Sequence, residues 1–380
     1  MDDKTVQDIE YCALRFHSGI PSAVIRELYD KNIVSSHRDL VPGNIKELIE
    51  KIESDEGLSK GVKEAAGKLK RTAEMIRENA SEYIKAAEEK GIFTVSEDDP
   101  DYPYLWKVIS GMPKVVFGLG KREVLLSCHT RGAAAIVGSR SPGSYSLYAT
   151  GQFASDIASS GSVIVSGMAL GIDHKAHESA LDAGGESIAF MPCGADVIYP
   201  YQNYDTYERL KQNGLILSEM PPGKKVIKQY FPSRNRLIAG LSDVCLIMEA
   251  GLYSGTLHTA SFAANQGKDV FVLPNNIYAE NCLGGLMLLK DGAEVLIRPE
   301  QVTERIKENV SYRYSVREKD KAADPIYEVS ELLNTRPMSL DDLCRRLSYP
   351  YEVITTVLTQ LELEQKIEQS RGKYILTIRP

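Results

Sequence analysis

The hydrophobic pattern changes character along the chain. Across residues 1–110 it alternates helical runs with turn signals. Val6 to Phe16 is amphipathic, Ser18-Gly19-Ile20-Pro21 breaks it, and Pro21 opens a second helix to about Lys31. Leu58 to Glu89 reads as one long helix rich in Ala, Lys and Glu, with Gly61 and Gly67 as weak points. Asp98-Asp99-Pro100-Asp101-Tyr102-Pro103 then marks a boundary. Residues 111–310 read differently. Short apolar, β-branched runs (Ala134–Val137, Ser162–Val165, Glu186–Met191, Leu215–Leu217, Val244–Met248, Asp269–Leu273, Glu294–Ile297) alternate with helical segments (Ser146–Ser159, His174–Ala183, Tyr204–Gln212, Arg234–Leu241, Thr256–Gln266). Continuous apolar strands joined by helical crossovers predict a doubly wound α/β domain, with a mostly parallel sheet covered on both faces.

The polar stretch 311–325 (SYRYSVREKDKAADP) reads as a linker. Residues 326–380 predict a third unit: a helix over Ile326–Leu333, a second opened by the capping pattern Ser339-Leu340-Asp341-Asp342, and a third over Tyr351–Glu364. A hairpin follows, turning at Ser370-Arg371-Gly372-Lys373. Three helices and a two-stranded wing describe a winged helix.

Composition narrows the class. A chain of 380 residues with 43% hydrophobic and 26% charged residues is ordinary for two or three folded domains. The N-terminus MDDKTVQDIE carries no secretory signal, and no apolar run approaches the ~20 residues that span a bilayer. Six cysteines are scattered without a C-x-x-C pair, which argues against a zinc site or a disulfide framework and for a reducing cytoplasm. The net charge of −7 argues against nucleic acid only as a single number. Residues 1–110 hold 16 basic and 22 acidic side chains, whereas 111–310 hold 18 and 19. The acidic excess therefore sits in the N-terminal helical module, which is expected not to touch DNA, and the sheet domain is left neutral.

Ligands of parallel α/β sheets gather where strand ends lead into helix N-termini. The loops expected there are Gly138-Ser139-Arg140-Ser141-Pro142-Gly143, Ser166-Gly167-Met168-Ala169-Leu170-Gly171-Ile172-Asp173 followed by Lys175, Phe231-Pro232-Ser233-Arg234-Asn235-Arg236, and Ser254-Gly255-Thr256. Glycine amides, hydroxyls and helix N-termini suit phosphate, and Arg140, Arg234 and Arg236 offer bidentate forks. Several such loops on one edge suggest a ligand with several phosphates. Lys224, Lys225 and Lys228 precede Tyr230-Phe231, with Tyr199, Tyr201 and Tyr204 in neighbouring loops; cations interleaved with aromatics suit single-stranded nucleic acid. Each feature has a plainer reading: the Gly138–Gly143 loop as a tight turn, the rings as filler of the sheet edge, Asp173 as a helix cap, His177 as a packed or capping residue rather than a metal ligand beside His174. Cys193 between apolar flanks reads as a buried structural thiol. Walker A, G-x-G-x-x-G and G-x-S-x-G patterns are absent. Asp173 and Glu219 remain a conceivable acid/base pair.

The ordered set Ile136-Val137-Gly138-Ser139-Arg140, Ser166 to Asp173 with Ala176-His177, Ile198-Tyr199-Pro200, Ser218-Glu219, Phe231 to Ser242, Ser254-Gly255-Thr256 and Asp291-Gly292-Ala293 resembles the DprA/Smf family, the bacterial DNA-processing protein A, over about residues 92–300. The resemblance implies an extended Rossmann domain flanked by an N-terminal SAM-like helical domain and a C-terminal winged helix. It implies a cytoplasmic homodimer, not an enzyme and without cofactor, that binds and protects incoming single-stranded DNA in natural transformation and loads the recombinase RecA. It places the DNA pocket at Arg140, Lys228 and Phe231, with Arg234 to Arg236 lining the same region. Two stretches depart from the family pattern, Pro274-Asn275-Asn276 and Asn281-Cys282-Leu283-Gly284-Gly285, and His258 replaces an aliphatic residue. The third winged-helix helix, YEVITTVLTQLELE, has no Lys or Arg, so this module is expected not to read duplex DNA. Two other functions stay open. One is a LOG-like nucleotide N-glycosidic hydrolase, against which Thr259 stands where a catalytic Glu belongs. The other is a nucleotide-sensing Rossmann protein.

Overall fold

The computed structural model describes residues 1–55, 57–109, 111–322, 325–347, 349–363, 366–370 and 372–377. It divides into two compact units, Met1–Lys307 and Glu308–Pro380. The first opens with helices α1 (Asp3–His17), α2 (Ser22–Asp30), α3 (Ile45–Ser54) and α4 (Lys60–Lys90). Asp2 caps α1 by accepting from Thr5 N at 2.7 Å. The long α4 is capped by Ser59 and stopped by Gly91 at φ 68°, the left-handed position that favours glycine.

The sheet elements follow: β1 (Phe93–Ser96), α5 (Tyr104–Val108), β2 (Val115–Gly120), α6 (Val124–Thr130), β3 (Ala133–Gly138), α7 (Ser144–Ser159), β4 (Val163–Ser166), α8 (Ile172–Asp182), β5 (Ser187–Phe190), α9 (Tyr204–Asn213), β6 (Leu215–Ser218), α10 (Tyr230–Leu241), β7 (Val244–Glu249), α11 (Thr256–Asn265), β8 (Asp269–Val272), α12 (Leu283–Lys290) and β9 (Glu294–Val295). They build a nine-stranded sheet in the order β1-β2-β6-β5-β4-β3-β7-β8-β9. All pairings from β6 to β9 are parallel, while β1–β2 and β2–β6 are antiparallel. The fold is thus the expected mostly parallel α/β sheet, with every predicted strand present and an antiparallel edge in addition. That edge starts at Phe93, so the expected boundary at residue 110 falls inside it. The two strands escape a parallel-sheet pattern because they are the antiparallel ones, one of them four residues long and the other interrupted by Gly118.

The N-terminal helices and the sheet share a core. Ile9, Leu14, Ile52, Leu69 and Ile76 pack in one cluster with Phe117, Leu119 and Ile216. A second cluster gathers Trp106, Val124, Phe190, Ile238 and Ile247. Polar residues also cross the seam. His37 and Asp8 are wholly buried, with His37 Nε2 2.8 Å from Asp8 Oδ1, and Thr94 of β1 donates to the other Asp8 oxygen at 2.8 Å. His37 Nδ1 lies 3.6 Å from Glu97.

Helix α13 (Pro299–Ala322) runs from the first unit into the second. The stretch expected as a linker is therefore helical as far as Ala322, since it contains no helix breaker there; residues 323 and 324 lie outside the described residues. The second unit continues with α14 (Pro325–Thr335), α15 (Leu340–Arg346), α16 (Tyr351–Leu363), β10 (Ile367–Ser370) and β11 (Lys373–Leu376). Ser339 and Asp342 form the predicted capping box, and Val329, Leu333, Leu343, Ile354 and Leu358 form the core. The winged-helix pattern is thus present; residues 364 and 371, in the predicted third helix and hairpin turn, lie outside the described residues.

The buried seam makes stability depend on pH. Burial draws the His37 pKa down, but the bonds to Asp8 and Glu97 outweigh it and hold the folded value above the ordinary 6.5. The protonated imidazolium therefore contributes stability that is complete below the ordinary value and is lost as pH rises through the elevated one. Denaturant midpoints measured between pH about 6 and about 9 should fall for the wild type and fall less for His37→Gln.

Candidate functional site

The strand order reverses direction between β3 and β7, and such a switch point is where open α/β sheets bind ligands. A cavity of about 810 Å³ opens there. Its walls are the end of β3 (Gly138, Ser139, Arg140), the α10 face (Phe231, Arg234, Asn235) and the turn before α11 (Ser254, Gly255, Thr256). Loops far apart in sequence meet because each follows a parallel strand and leaves the same edge.

Two glycines permit the close approach. Gly171 sits at φ 76°, and a β-carbon there would lie 2.5 Å from the Ser139 carbonyl oxygen, so the loops after β3 and β4 touch only with glycine. A β-carbon on Gly167 would fall 1.4 Å from Arg234 Nη1. The Arg234 guanidinium occupies that space and donates to the Phe190 carbonyl at 3.0 Å. Arg234 is 6% exposed, and burial lowers its pKa to about 10 against the opposing pull of Asp173, so it stays charged at neutral pH.

Asp173 is also buried and accepts from Gly167 N at 3.1 Å and Ala169 N at 3.4 Å. It therefore braces its own loop instead of capping α8. Burial raises its pKa, opposed by Arg234 and these amides.

The mouth of the cavity is built differently. Arg140 is exposed and forms no ion pair among the described residues. Its guanidinium carbon lies 5.1 Å from the centroid of the Phe231 ring, and Tyr199 meets the same ring edge-on at 6.0 Å. A small second pocket joins Arg140, Phe231 and Tyr199 to Gly167 and Pro200. Lys228 is exposed beside this shelf, and its carbonyl accepts from Phe231 N at 3.4 Å.

The remaining expected site residues are placed elsewhere or spent on the fold. Ser166 is wholly buried and donates to the Ile136 carbonyl at 2.6 Å, which takes it away from any ligand. Lys175 pairs with Glu178 at 2.8 Å and lies against Gly151 of α7. Arg236 pairs with Glu219 at 2.5 Å, and the other Glu219 oxygen takes Arg15 of α1 at 2.9 Å. Glu219 thus ties α10 to the N-terminal helices, and Arg236, held on it, does not line the cavity. Glu219 is thus engaged by two arginines and Asp173 by its own loop amides, and no contact joins the two acids among the described residues.

Around the α11 turn, Ser254 Oγ already accepts from Thr256 N at 3.2 Å and Asn235 donates to the Gly255 carbonyl at 3.4 Å. His177 is wholly buried against Ser187 at 2.7 Å, and burial lowers its pKa to about 3. No cluster of metal-ligating residues occurs among the described residues. Burial lifts the Cys193 thiol to about 12, consistent with a structural thiol.

The sequence motifs missed part of the cavity. Leu252, Tyr253 and Asn281 line it, and Tyr253 is fully exposed. Asn281 donates to Glu249 at 2.6 Å, and Glu249 accepts from Gly143 N at 3.0 Å. Asn275 donates to Ser146 at 2.8 Å. The two departures noted in the sequence thus bond to their own surroundings, linking the rim to the loop after β3 and to α7.

Comparison with known proteins now bears on this geometry. The family model for DNA recombination-mediator protein A matches residues 93–307, and the model for the DprA winged helix domain matches residues 317–373. The chain belongs to this family. Protein Smf of Synechocystis sp. is 40% identical over 59% of this chain, though the match spans only 56% of that relative's length. DNA processing protein DprA of Bacillus subtilis is 33% identical over 65% of this chain and 82% of its own. Among solved structures, DprA from Streptococcus pneumoniae superimposes with a TM-score of 0.65 at 27% identity, covering 79% of this chain and 98% of that one. DNA processing protein A from Helicobacter pylori, solved for its single-stranded DNA binding mode, gives 0.51 at 33% identity, covering 57% and 96%.

The glycine constraint is testable within this family scaffold. Gly171→Ala should lower stability by about 1–3 kcal/mol through its strained backbone alone, and more through the clash with Ser139. Thermal denaturation of the variant beside the wild type measures it.

Proposed function

We propose that this protein is a sequence-nonspecific single-stranded DNA-binding protein that protects incoming DNA and passes it to RecA in natural transformation and recombination. The observation that carries the reading is the Arg140 guanidinium stacked on Phe231 at the cavity mouth, with Tyr199 beside it. A cation and an aromatic face, half open to solvent, hold a phosphate and a stacked base without reading base edges, and so favour binding without sequence preference. The single-stranded DNA binding named for the H. pylori relative supports the same use of this sheet. The direct contacts are Arg140, Lys228 and Phe231, with Gly138 and Ser139 shaping the loop. Arg234, Gly167 and Gly171 hold the shelf in position, and Asn235 and Ser254 to Thr256 shape the cavity behind it. The family's homodimer, RecA contact and cytoplasmic setting come with the resemblance. No helix among the described residues is long and apolar enough to cross a membrane.

Binding without catalysis is the favoured reading. Thr259, 1% exposed, lines the cavity where the hydrolase pattern has its Glu, and Asp173 is engaged with loop amides. Nucleoside monophosphate hydrolysis by the purified protein would revive the hydrolase. The winged helix is assigned a protein-contact or regulatory role, because α16 lacks the cations that meet duplex phosphates.

Single-stranded oligonucleotide titrations at several salt concentrations test the site. Arg140→Ala should weaken binding and reduce the slope of log K against log salt by about 0.7, the share of one phosphate contact. Phe231→Ala should weaken binding by roughly 1–3 kcal/mol with little change of slope. Unchanged affinity in both variants removes the assignment.

A further inference from the structure

The loop that leads into the Arg140–Phe231 shelf continues onto the N-terminal helices. Residues 219–229 connect β6 to α10 and are anchored part-way by Asp196, which accepts from Gly223 N at 2.9 Å and pairs with Lys90 of α4 at 2.5 Å. From that anchor Lys224 reaches the C-terminal end of α1, with its ammonium 6.0 Å from the centroid of the Phe16 ring. Arg15 approaches the same ring at 6.0 Å. His17 follows, bonded to the Tyr83 hydroxyl at 2.7 Å with the two rings 5.9 Å apart. Burial and the nearby Lys224 charge both lower the His17 pKa. Tyr230, next to Phe231, is half-buried. The acids on this path are already neutralised, Asp196 by Lys90 and Glu219 by Arg15 and Arg236. Glu82, which acts on Tyr83, marks the far end.

The loop from Lys224 to Phe231 thus carries three lysines and the half-buried Tyr230 and Phe231, with Arg140 over Phe231 at one end and Phe16 beside Lys224 at the other. We propose that single-stranded DNA held on the shelf continues along this strip onto the N-terminal helical module, with Phe16 as a second stacking platform and Lys224 as its phosphate contact. The inference rests on the DNA-binding reading of the shelf and extends its footprint. It also revises the expectation that the acidic module stays clear of DNA. The end of α1 that meets the loop offers the half-buried Phe16 ring, and the loop supplies the cation, Lys224; Arg15 is held on Glu219 and His17 on Tyr83.

Length dependence separates the strip from the shelf. Binding of oligothymidylates of about 5 and about 15 nucleotides, lengths that bracket a single-strand site, is measured on the full chain. The wild type should bind the longer strand more tightly than its extra register positions alone allow. Phe16→Ala combined with Lys224→Ala should lower affinity for the long strand about tenfold and leave the short one unchanged, from loss of one stacked base and one phosphate contact. Lys224→Glu, a substitution on a partly exposed loop, tests the strip without touching a packed ring and should act in the same direction. Arg140→Ala should weaken both lengths. If the Phe16 and Lys224 variants keep the full length dependence while Arg140→Ala weakens both strands, the strip is wrong and the shelf stands. If the wild type binds neither strand, both readings fall.

Discussion

The guanidinium of Arg234 fills the space where any residue but glycine at 167 would carry its β-carbon, and much else in the site follows from that contact. A buried cation must be hydrogen-bonded or balanced by charge, or it costs several kcal/mol. Here the Phe190 carbonyl and the nearby Asp173 supply the compensation. Asp173 in turn holds the Gly167 and Ala169 amides, and the same turn ends at Gly171, on which the Ser139 carbonyl rests. One buried arginine thus fixes the loops after β3 and β4 against α10. Arg140 and Phe231 are consequences of that arrangement: one leaves the loop after β3, the other opens α10, and the fixed loops bring them into contact.

This separates two kinds of arginine that look alike in sequence. Arg234 and Arg236 belong to one motif with Asn235, and all invite assignment to phosphate. Arg234 is a buried strut, and Arg236 is a clamp shared with Arg15 on Glu219. Arg140 alone of the three is exposed and stacked on a ring. The distinction is one of burial and partner, which neither charge nor motif records. The Glu219 clamp also explains why the N-terminal helices and the sheet form a single unit: charge pairs and the His37–Asp8–Thr94 contacts cross a seam that is otherwise apolar.

Much of the architecture was legible because parallel strands announce themselves as uninterrupted apolar runs between helices. Ala134–Val137 and Val244–Met248 need no partner information to be recognised, and the capping box at Ser339 locates α15 within a residue. Phe93–Ser96 and Val115–Gly120 were not legible as part of the sheet, since their antiparallel pairing depends on each other and on β6. The cavity lining was legible at Gly138 to Arg140 and at Phe231. It was misleading at Ser166, whose hydroxyl is spent on a neighbouring strand, and silent at Tyr253, which no spacing rule marks, while Asn281 stood out only as a departure from the family pattern. Sequence shows which residue types could bind a phosphate; packing decides which of them are left open to solvent.

A base stacked at the Arg140–Phe231–Tyr199 shelf, as proposed, lies within reach of a cross-link to those rings. Photo-cross-linking of a bromodeoxyuridine-substituted single strand to the full chain, with the attached residue mapped by mass spectrometry, tests it most directly. Attachment is expected at Phe231 or Tyr199, with its loss in Arg140→Ala. Attachment confined to the winged helix, or to residues remote from the loops after β3 and β4, would contradict it.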